Sequence, residues 1–102
     1  KKGKVQRPAI HEDSTGNGHI YYLLLDNRYS RSKLIQDLSG KGINTVFHYQ
    51  PLHLSPAGKR FGIARSPLPV TEDISNRLVR LPVWIGLQEQ EKISHAIYEL
   101  LP

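Results

Sequence analysis

The sequence contains no cysteine and no methionine, and none of its apolar stretches is long. Without cysteine there is no disulfide framework, no thiolate metal site and no thiol nucleophile. No apolar run approaches the roughly 20 residues that a membrane helix needs, and residues 1–10 lack the hydrophobic segment of a signal peptide. We therefore expect a cytoplasmic protein without a membrane segment. Because no initiator methionine is present, we expect either a processed chain or a piece of a longer one.

The chain is short, and its positive charge is unevenly placed. Its 102 residues are enough for one domain, and an apolar fraction of 38% allows only a thin core. Most of the net charge of +5 comes from a basic N-terminal cluster, which we interpret as a solvated tail: Lys1, Lys2, Lys4 and Arg7. A basic patch is only the electrostatic part of a nucleic-acid site, so we expect no nucleic-acid partner.

The first half of the chain predicts a strand, a helix and a second strand. Residues 19–26 are almost uninterruptedly apolar, which predicts a central strand buried on both faces. A helix is expected over residues 30–39, with Ser30 as its N-cap and a glycine-containing turn after it. The β-branched and aromatic residues of 43–49 predict the next strand.

The second half predicts a long loop and then a helix, a strand and a helix. Prolines and glycines make residues 52–70 an irregular connection, pinned by Phe61 and Ile63. Thr71 is expected to cap a helix, because acids follow it in the first turn. A short strand over residues 79–83 follows, whose proline argues for an edge or a strand end, and a final helix covers 88–101.

The predicted order is therefore β-α-β-loop-α-β-α, a small α/β (α+β) domain. Its short sheet would carry helices on one face, and its other face would need a partner. The domain is expected to span residues 19–102. Residues 1–18 show no periodicity and are predicted to be a linker from a missing N-terminal domain.

One segment concentrates groups that can carry chemistry: His48, Tyr49 and His53, around a proline at the end of the second predicted strand. Functional residues tend to lie on loops held by rigid elements. These three side chains could bind a metal, act as acid and base, or line a substrate pocket, or either histidine could be only a hydrogen-bonded structural residue. No further His, Asp or Glu cluster completes a metal site, so we expect no bound metal.

Two other side chains have both a structural and a functional interpretation. His19, at the start of the predicted central strand, is read as a hydrogen-bonded strand-end imidazole. Arg80 is read as part of a strand end, although a guanidinium there could also hold a carboxylate or phosphate.

The sequence resembles a known family, the DegT/DnrJ/StrS sugar aminotransferases. The likeness covers nearly the whole chain, and its most specific part is the His-Tyr-x-Pro-Leu-His motif with Ser-Pro-Ala-Gly behind it. The segments that carry it are residues 42–53, 55–58, 61–62, 71–72 and 80–84.

The resemblance implies the small C-terminal domain of a fold type I transferase that depends on pyridoxal phosphate (PLP). PLP and its Schiff-base lysine would lie in the missing N-terminal domain, since none of Lys33, Lys41, Lys59 and Lys92 stands in the family's lysine motif. The fragment alone would therefore bind no cofactor, contain no catalytic residue and be inactive. The resemblance also places the His-Tyr-x-Pro-Leu-His loop beside the substrate cleft, and so implies that His48, Tyr49 and His53 bind substrate. The parent enzyme, a homodimer or higher oligomer, would take a dTDP-linked keto sugar and an amino-acid amino donor, for cell-surface polysaccharide synthesis.

Two further hypotheses remain open at this stage. The parent could belong to the same family and act on another nucleotide keto sugar. Alternatively, the chain could be a free-standing small domain that holds an anion with its basic middle segment, where seven basic residues face one acid between residues 28 and 65.

Overall fold

Four short strands form one antiparallel sheet. The computed structural model describes residues 3–102. The strands are β1 (Val5–Gln6), β2 (Tyr21–Leu25), β3 (Val46–Phe47) and β4 (Leu78–Leu81). They pair in the order β1-β2-β4-β3, and every pair is antiparallel.

Helices connect these strands. They are α1 (Arg31–Gly40), α2 (Pro56–Phe61), α3 (Pro69–Arg77) and α4 (Gln90–Leu100), with a 3₁₀ helix at Leu52–Leu54 before α2. The predicted mixed α/β class is confirmed. None of the helices described is long and apolar enough to cross a membrane.

The hydrophobic core lies between one face of the sheet and the pair of helices α1 and α4. Leu25 and Val79 from the sheet and Leu38 from α1 are fully buried. Burying a Leu or Val side chain contributes about 1.5–3 kcal/mol, so this single layer holds the domain together. The other core residues are Leu23, Leu34, Ile43, Ile93, Ala96, Ile97 and Leu101.

Helix α1 begins and ends where local sequence signals place it. The Ser30 side chain accepts a hydrogen bond from the Lys33 N–H, as predicted for an N-cap. At the other end, Gly42 has a φ of 75°. The Gly42 N–H donates to the Ser39 carbonyl at 3.0 Å, and the Ile43 N–H donates to the Leu38 carbonyl at 2.9 Å. This pair of bonds is the Schellman motif, which turns the chain back towards the sheet.

Strand β2 occupies an interior position, as predicted, but it is not buried on both faces. Leu23 and Leu25 point into the core, whereas Tyr22 and Leu24 are only half-buried. Helices α1 and α4 cover only one face of the sheet. Alternate residues of the apolar run in β2 therefore face the core and the less covered side.

Strand β3 is shorter than predicted and lies at the edge of the sheet. Only Val46 and Phe47 pair with β4, and about half of each side chain is exposed. On the β4 side the ladder is bounded by Arg77, which is helical, and by Pro82, which has no N–H to donate. The prediction that Pro82 marks a strand end is confirmed, although β4 is not an edge strand.

The connection predicted to be irregular contains helical structure. The 3₁₀ helix and α2 both lie within residues 52–70, because proline is well tolerated in the first turn of a helix. The expectation that Phe61 and Ile63 pin this segment is wrong, since they are 79% and 90% exposed. Helix α3 begins at Pro69 rather than after Thr71, so the predicted threonine cap is also wrong.

The N-terminal segment is partly ordered against the domain. Val5–Gln6 pairs with the end of β2, so a strand lies within the predicted linker. The Lys4 ammonium is half-buried and donates to the Leu101 carbonyl at 2.6 Å, which contradicts a fully solvated tail at this position. Lys1 and Lys2 lie outside the described residues. That residues 1–18 arrive from another domain stays a prediction.

Arg77 connects the end of α3 to the sheet. Its guanidinium donates to the Leu25 carbonyl at 2.5 Å and is paired with Asp73, one helical turn earlier, at 2.5 Å. The hydrogen bond from Arg77 holds the pKa of the Asp73 carboxyl below its usual range, and it raises the pKa of Arg77.

Replacing Asp73 with Asn should reduce the acid sensitivity of the fold. A carboxyl whose pKa is lowered by folding stabilises the folded state above its unfolded pKa, and that contribution disappears as the pH falls through the lowered value. The difference in free energy of unfolding between the native chain and Asp73→Asn should therefore be largest near neutral pH and vanish in acid. Denaturant unfolding at a series of pH values measures it. A pH-independent difference would contradict this assignment, and Glu91→Gln, at an exposed helical position, is the control.

Candidate functional site

His48 and Tyr49 leave the sheet directly after β3 and face solvent. The two rings contact each other edge to face, with centroids 4.8 Å apart and planes at 68°. His48 is exposed, and Tyr49 is 69% exposed. Neither side chain is buried against the described part of the chain. The His48 imidazole and the Tyr49 phenol are therefore both accessible from outside the domain.

His53 is held in a different way. It lies in the 3₁₀ helix with its side chain only 15% exposed, and its Nε2 atom is 2.9 Å from the Glu72 carboxylate of α3. An ionised carboxylate can only accept hydrogen bonds, so the proton of this bond belongs to the histidine.

The turn that follows His53 is closed by Ser55. Its hydroxyl donates to the Leu52 carbonyl at 2.8 Å and accepts the Gly58 N–H at 2.9 Å. Ser55 is therefore both the last residue of the turn and the N-cap of α2. The Ser-Pro-Ala-Gly motif thus has a local structural role: it joins the 3₁₀ helix to α2.

Gly58 is required by how closely the chain packs on itself. A Cβ atom built at this position would lie 1.7 Å from the Leu52 carbonyl oxygen. Because the obstructing atom belongs to the backbone, no side-chain rotation can relieve the overlap. The absence of a side chain at Gly58 therefore allows α2 to approach Leu52, and so holds His53 in place.

A groove runs between the 3₁₀ helix, α2 and the start of α3. The lining residues with polar side chains are His53, Lys59 and Thr71, and the rest of the lining is largely apolar. His48 and Tyr49 do not line this groove. The remaining lining residues are Leu52, Ala57, Gly58, Phe61, Gly62, Ile63, Ala64 and Leu68.

The predicted site is therefore divided in two. One half is the exposed His48–Tyr49 pair, and the other is the groove with His53. The structure contains no ligand, so substrate binding by these three residues stays a prediction. Among residues 3–102, no three His, Cys, Asp or Glu side chains are grouped so that they could hold a metal ion.

The contact of Glu72 with His53 is not predictable from the sequence, where Glu72 appears only as an acid in the first turn of a helix, which it is. Glu72 lies 19 positions after His53, with α2 and a long loop between them, so no local spacing could have paired them. His19 is exposed and contacts the Asn17 side chain, in line with its structural interpretation. Arg80 is half-buried in β4.

Comparison with known proteins places this arrangement in a family. Residues 2–98 match the model of the DegT/DnrJ/EryC1/StrS aminotransferase family. The erythromycin biosynthesis sensory transduction protein EryC1 of Saccharopolyspora erythraea is 31% identical over 94% of this chain and 25% of its own length. The dTDP-3-amino-3,4,6-trideoxy-alpha-D-glucose transaminase of Micromonospora megalomicea is 28% identical over 84% of this chain and 24% of its own length.

The fold is also that of a solved structure. S. venezuelae DesV, crystallised in complex with a ketimine intermediate, superposes with a TM-score of 0.82 at 25% identity. The match covers 96% of this chain and 26% of DesV. The chain therefore spans about a quarter of the length of the proteins it matches.

PLP, which the family resemblance implies, requires a lysine activated by desolvation or by a neighbouring cation. The described residues offer no such lysine. Lys33 and Lys41 form surface ion pairs, Lys4 donates to a backbone carbonyl, and Lys59 and Lys92 are exposed. These residues do not fit the cofactor.

Replacing Gly58 with Ala should destabilise the domain. The new methyl group would displace the Leu52 carbonyl, and overpacking of this kind costs about 1–3 kcal/mol. Denaturant unfolding of the two chains measures the loss.

Gly40→Ala provides the matched control. A Cβ at Gly40, the last residue of α1, meets nothing within 4 Å. There alanine should stabilise the helix by about 0.5–1 kcal/mol. Equal stability of the native chain and Gly58→Ala would show that the turn is not packed as described.

Proposed function

The chain belongs to the DegT/DnrJ/EryC1/StrS aminotransferase family, and from that premise we propose that it is the small C-terminal domain of a PLP-dependent nucleotide-sugar aminotransferase. The activity is that of the parent protein, because this chain corresponds to about a quarter of its relatives. The observation that carries the proposal is the arrangement of residues 48–58, where a histidine-bearing turn is held rigidly on α3 and two aromatic rings face outwards.

In this proposal the domain closes over the substrate cleft of the parent. His48, Tyr49 and His53 hydrogen-bond the sugar or its diphosphate and exclude water as the cleft closes. Pre-positioned groups lower the entropic cost of bringing reactants together, and excluding water strengthens every polar contact inside the site. No residue of this chain carries out a covalent step.

PLP and the lysine that binds it belong to the missing N-terminal domain. When bound, PLP acts as an electron sink for amino-group transfer. Because the residues described here do not fit the cofactor, the 102-residue chain is expected to be inactive alone. The amino group would come from an amino-acid donor, and the parent would act in the cytoplasm as a homodimer or higher oligomer.

The exposed apolar residues support a partner domain. Trp84 is 57% exposed and Ile85 fully exposed on the loop after β4, and Phe61 and Ile63 are exposed beside the groove. Large exposed apolar side chains mark interaction surfaces when they are clustered. We assign these residues to contacts with the missing domain or with the second subunit.

The substrate that we propose is dTDP-4-keto-6-deoxy-D-glucose, converted to dTDP-4-amino-4,6-dideoxy-D-galactose for enterobacterial common antigen. Support comes from the motif resemblance of residues 42–58 to the transaminase of that reaction, and from the Micromonospora relative named for a dTDP-amino sugar. Another nucleotide keto sugar is the alternative, because the missing domain supplies much of the cleft.

The first experiment is to determine the mass and absorbance of the native product in its source cell. An antibody against this chain should detect a protein several times larger. That protein should be yellow when purified and lose its colour when the Schiff base is reduced. A native product of about 11.6 kDa would overturn the proposal and would favour a free-standing anion-binding domain.

Replacing His53 with Asn in the full-length enzyme should lower kcat/KM for the nucleotide sugar. Loss of one neutral hydrogen bond costs about 0.5–1.5 kcal/mol, which corresponds to a decrease of roughly 3- to 10-fold. His95→Asn, at an exposed position on α4, should leave kcat/KM unchanged. Equal values for native enzyme and His53→Asn would remove His53 from the substrate site.

A further inference from the structure

His53, which lines the groove, contacts the carboxylate of Glu72 through its imidazole. The His53 Nε2 atom and the Glu72 Oε1 atom are 2.9 Å apart. Only 15% of the His53 side chain is exposed, against 42% for Glu72. The bond thus lies mostly away from solvent on its histidine side, where a hydrogen bond to a charged group contributes more than at an open surface.

Both partners of this pair are held by their own backbones. His53 belongs to the turn that Ser55 closes onto Leu52. Glu72 lies in the first turn of α3, where its N–H donates to the Leu68 carbonyl and its own carbonyl accepts the Ser75 hydroxyl. The two elements come from opposite ends of the long connection, and the side-chain pair joins them.

The chemistry of the pair determines which ring atom remains open. Since the carboxylate accepts only, the proton of the bond is on Nε2, and in the neutral ring Nδ1 then carries the lone pair. Among the described residues, no other hydrogen-bond partner of His53 is present. The other charged group that lines the groove is Lys59, whose ammonium can only donate.

We propose that Glu72 is a positioning residue for His53: it holds the ring with Nε2–H towards α3, so that Nδ1 accepts a hydrogen bond from a hydroxyl or N–H donor of the ligand in the groove. The orientation of the His53 ring does not depend on the proposed function. The identity of the donor, a sugar hydroxyl of the substrate, rests on the proposed function. Beside it, Lys59 is placed to bind an anionic part of the same ligand.

The ring arrangement is tested by nitrogen NMR of the histidine side chains in the 102-residue chain. In the native chain, the neutral His53 ring should be a single tautomer with its proton on Nε2. In Glu72→Ala it should become a mixture resembling that of the exposed His48, which serves as an internal reference. Should Glu72→Ala fail to fold, Glu72→Gln keeps the size of the side chain and should weaken the preference.

A matched control shows whether the change in the His53 tautomer is specific to Glu72 or follows the removal of any acid from the first turn of a helix. Glu91 lies in the first turn of α4, as Glu72 does in α3, and has no ion-pair partner in the described part of the chain. Glu91→Ala should leave the His53 signals unchanged. A proton on Nδ1 in the native chain, or a His53 ring that does not respond to Glu72→Ala or Glu72→Gln, would overturn the proposal.

The role in substrate binding is tested by a double-mutant cycle in the full-length enzyme. Glu72→Gln should raise KM for the nucleotide sugar by roughly 3- to 10-fold with little change in kcat, as expected when a uniform binding interaction is weakened. Because Glu72 acts through His53, the double variant with His53→Asn should be no worse than His53→Asn alone.

Additive losses in that cycle would show that Glu72 supports the fold without positioning His53. An enzyme without any transaminase activity would instead overturn the proposed function, and the NMR result would still decide the ring arrangement. The two failures are therefore distinguishable.

Discussion

The carbonyl of Leu52 is the point on which the candidate site depends. It accepts the Ser55 hydroxyl at 2.8 Å and the Ser55 N–H at 3.1 Å, and the Cα of Gly58 packs so closely on it that no Cβ fits. His53 follows Leu52 directly, so the bonds that hold this carbonyl also hold the backbone from which the His53 side chain extends. The pairing with Glu72 then requires α3 to be in place as well.

The rest of the domain is stabilised by a single hydrophobic core. Helices α1 and α4 cover the face of the sheet that carries Leu25 and Val79. The loop after β4 and the groove region expose large apolar side chains instead, among them Trp84 and Ile85. A domain that has one buried core layer and also exposes large apolar side chains is suited to closing against a second body, as the proposed function requires.

Local interactions made part of this structure predictable. Helix α1 begins at a serine cap and ends at a left-handed glycine, and both signals act within a few residues of the helix end. The mixed α/β class and the interior place of β2 followed from apolar runs and their spacing. That residues 48–58 bind substrate stays a prediction, whereas the prediction that Phe61 and Ile63 anchor the loop is wrong, because both are exposed.

By itself, the sequence determined helix α1 with its caps, the approximate range of α4, and the end of β4 at Pro82. These features depend on backbone hydrogen bonds and steric limits between near neighbours. Only the tertiary structure decided that β3 has two paired residues, that one face of β2 is half-open, and that His53 meets Glu72 rather than His48. Each of these outcomes depends on contacts between segments distant in the chain, and the energy of such contacts leaves no trace in local spacing.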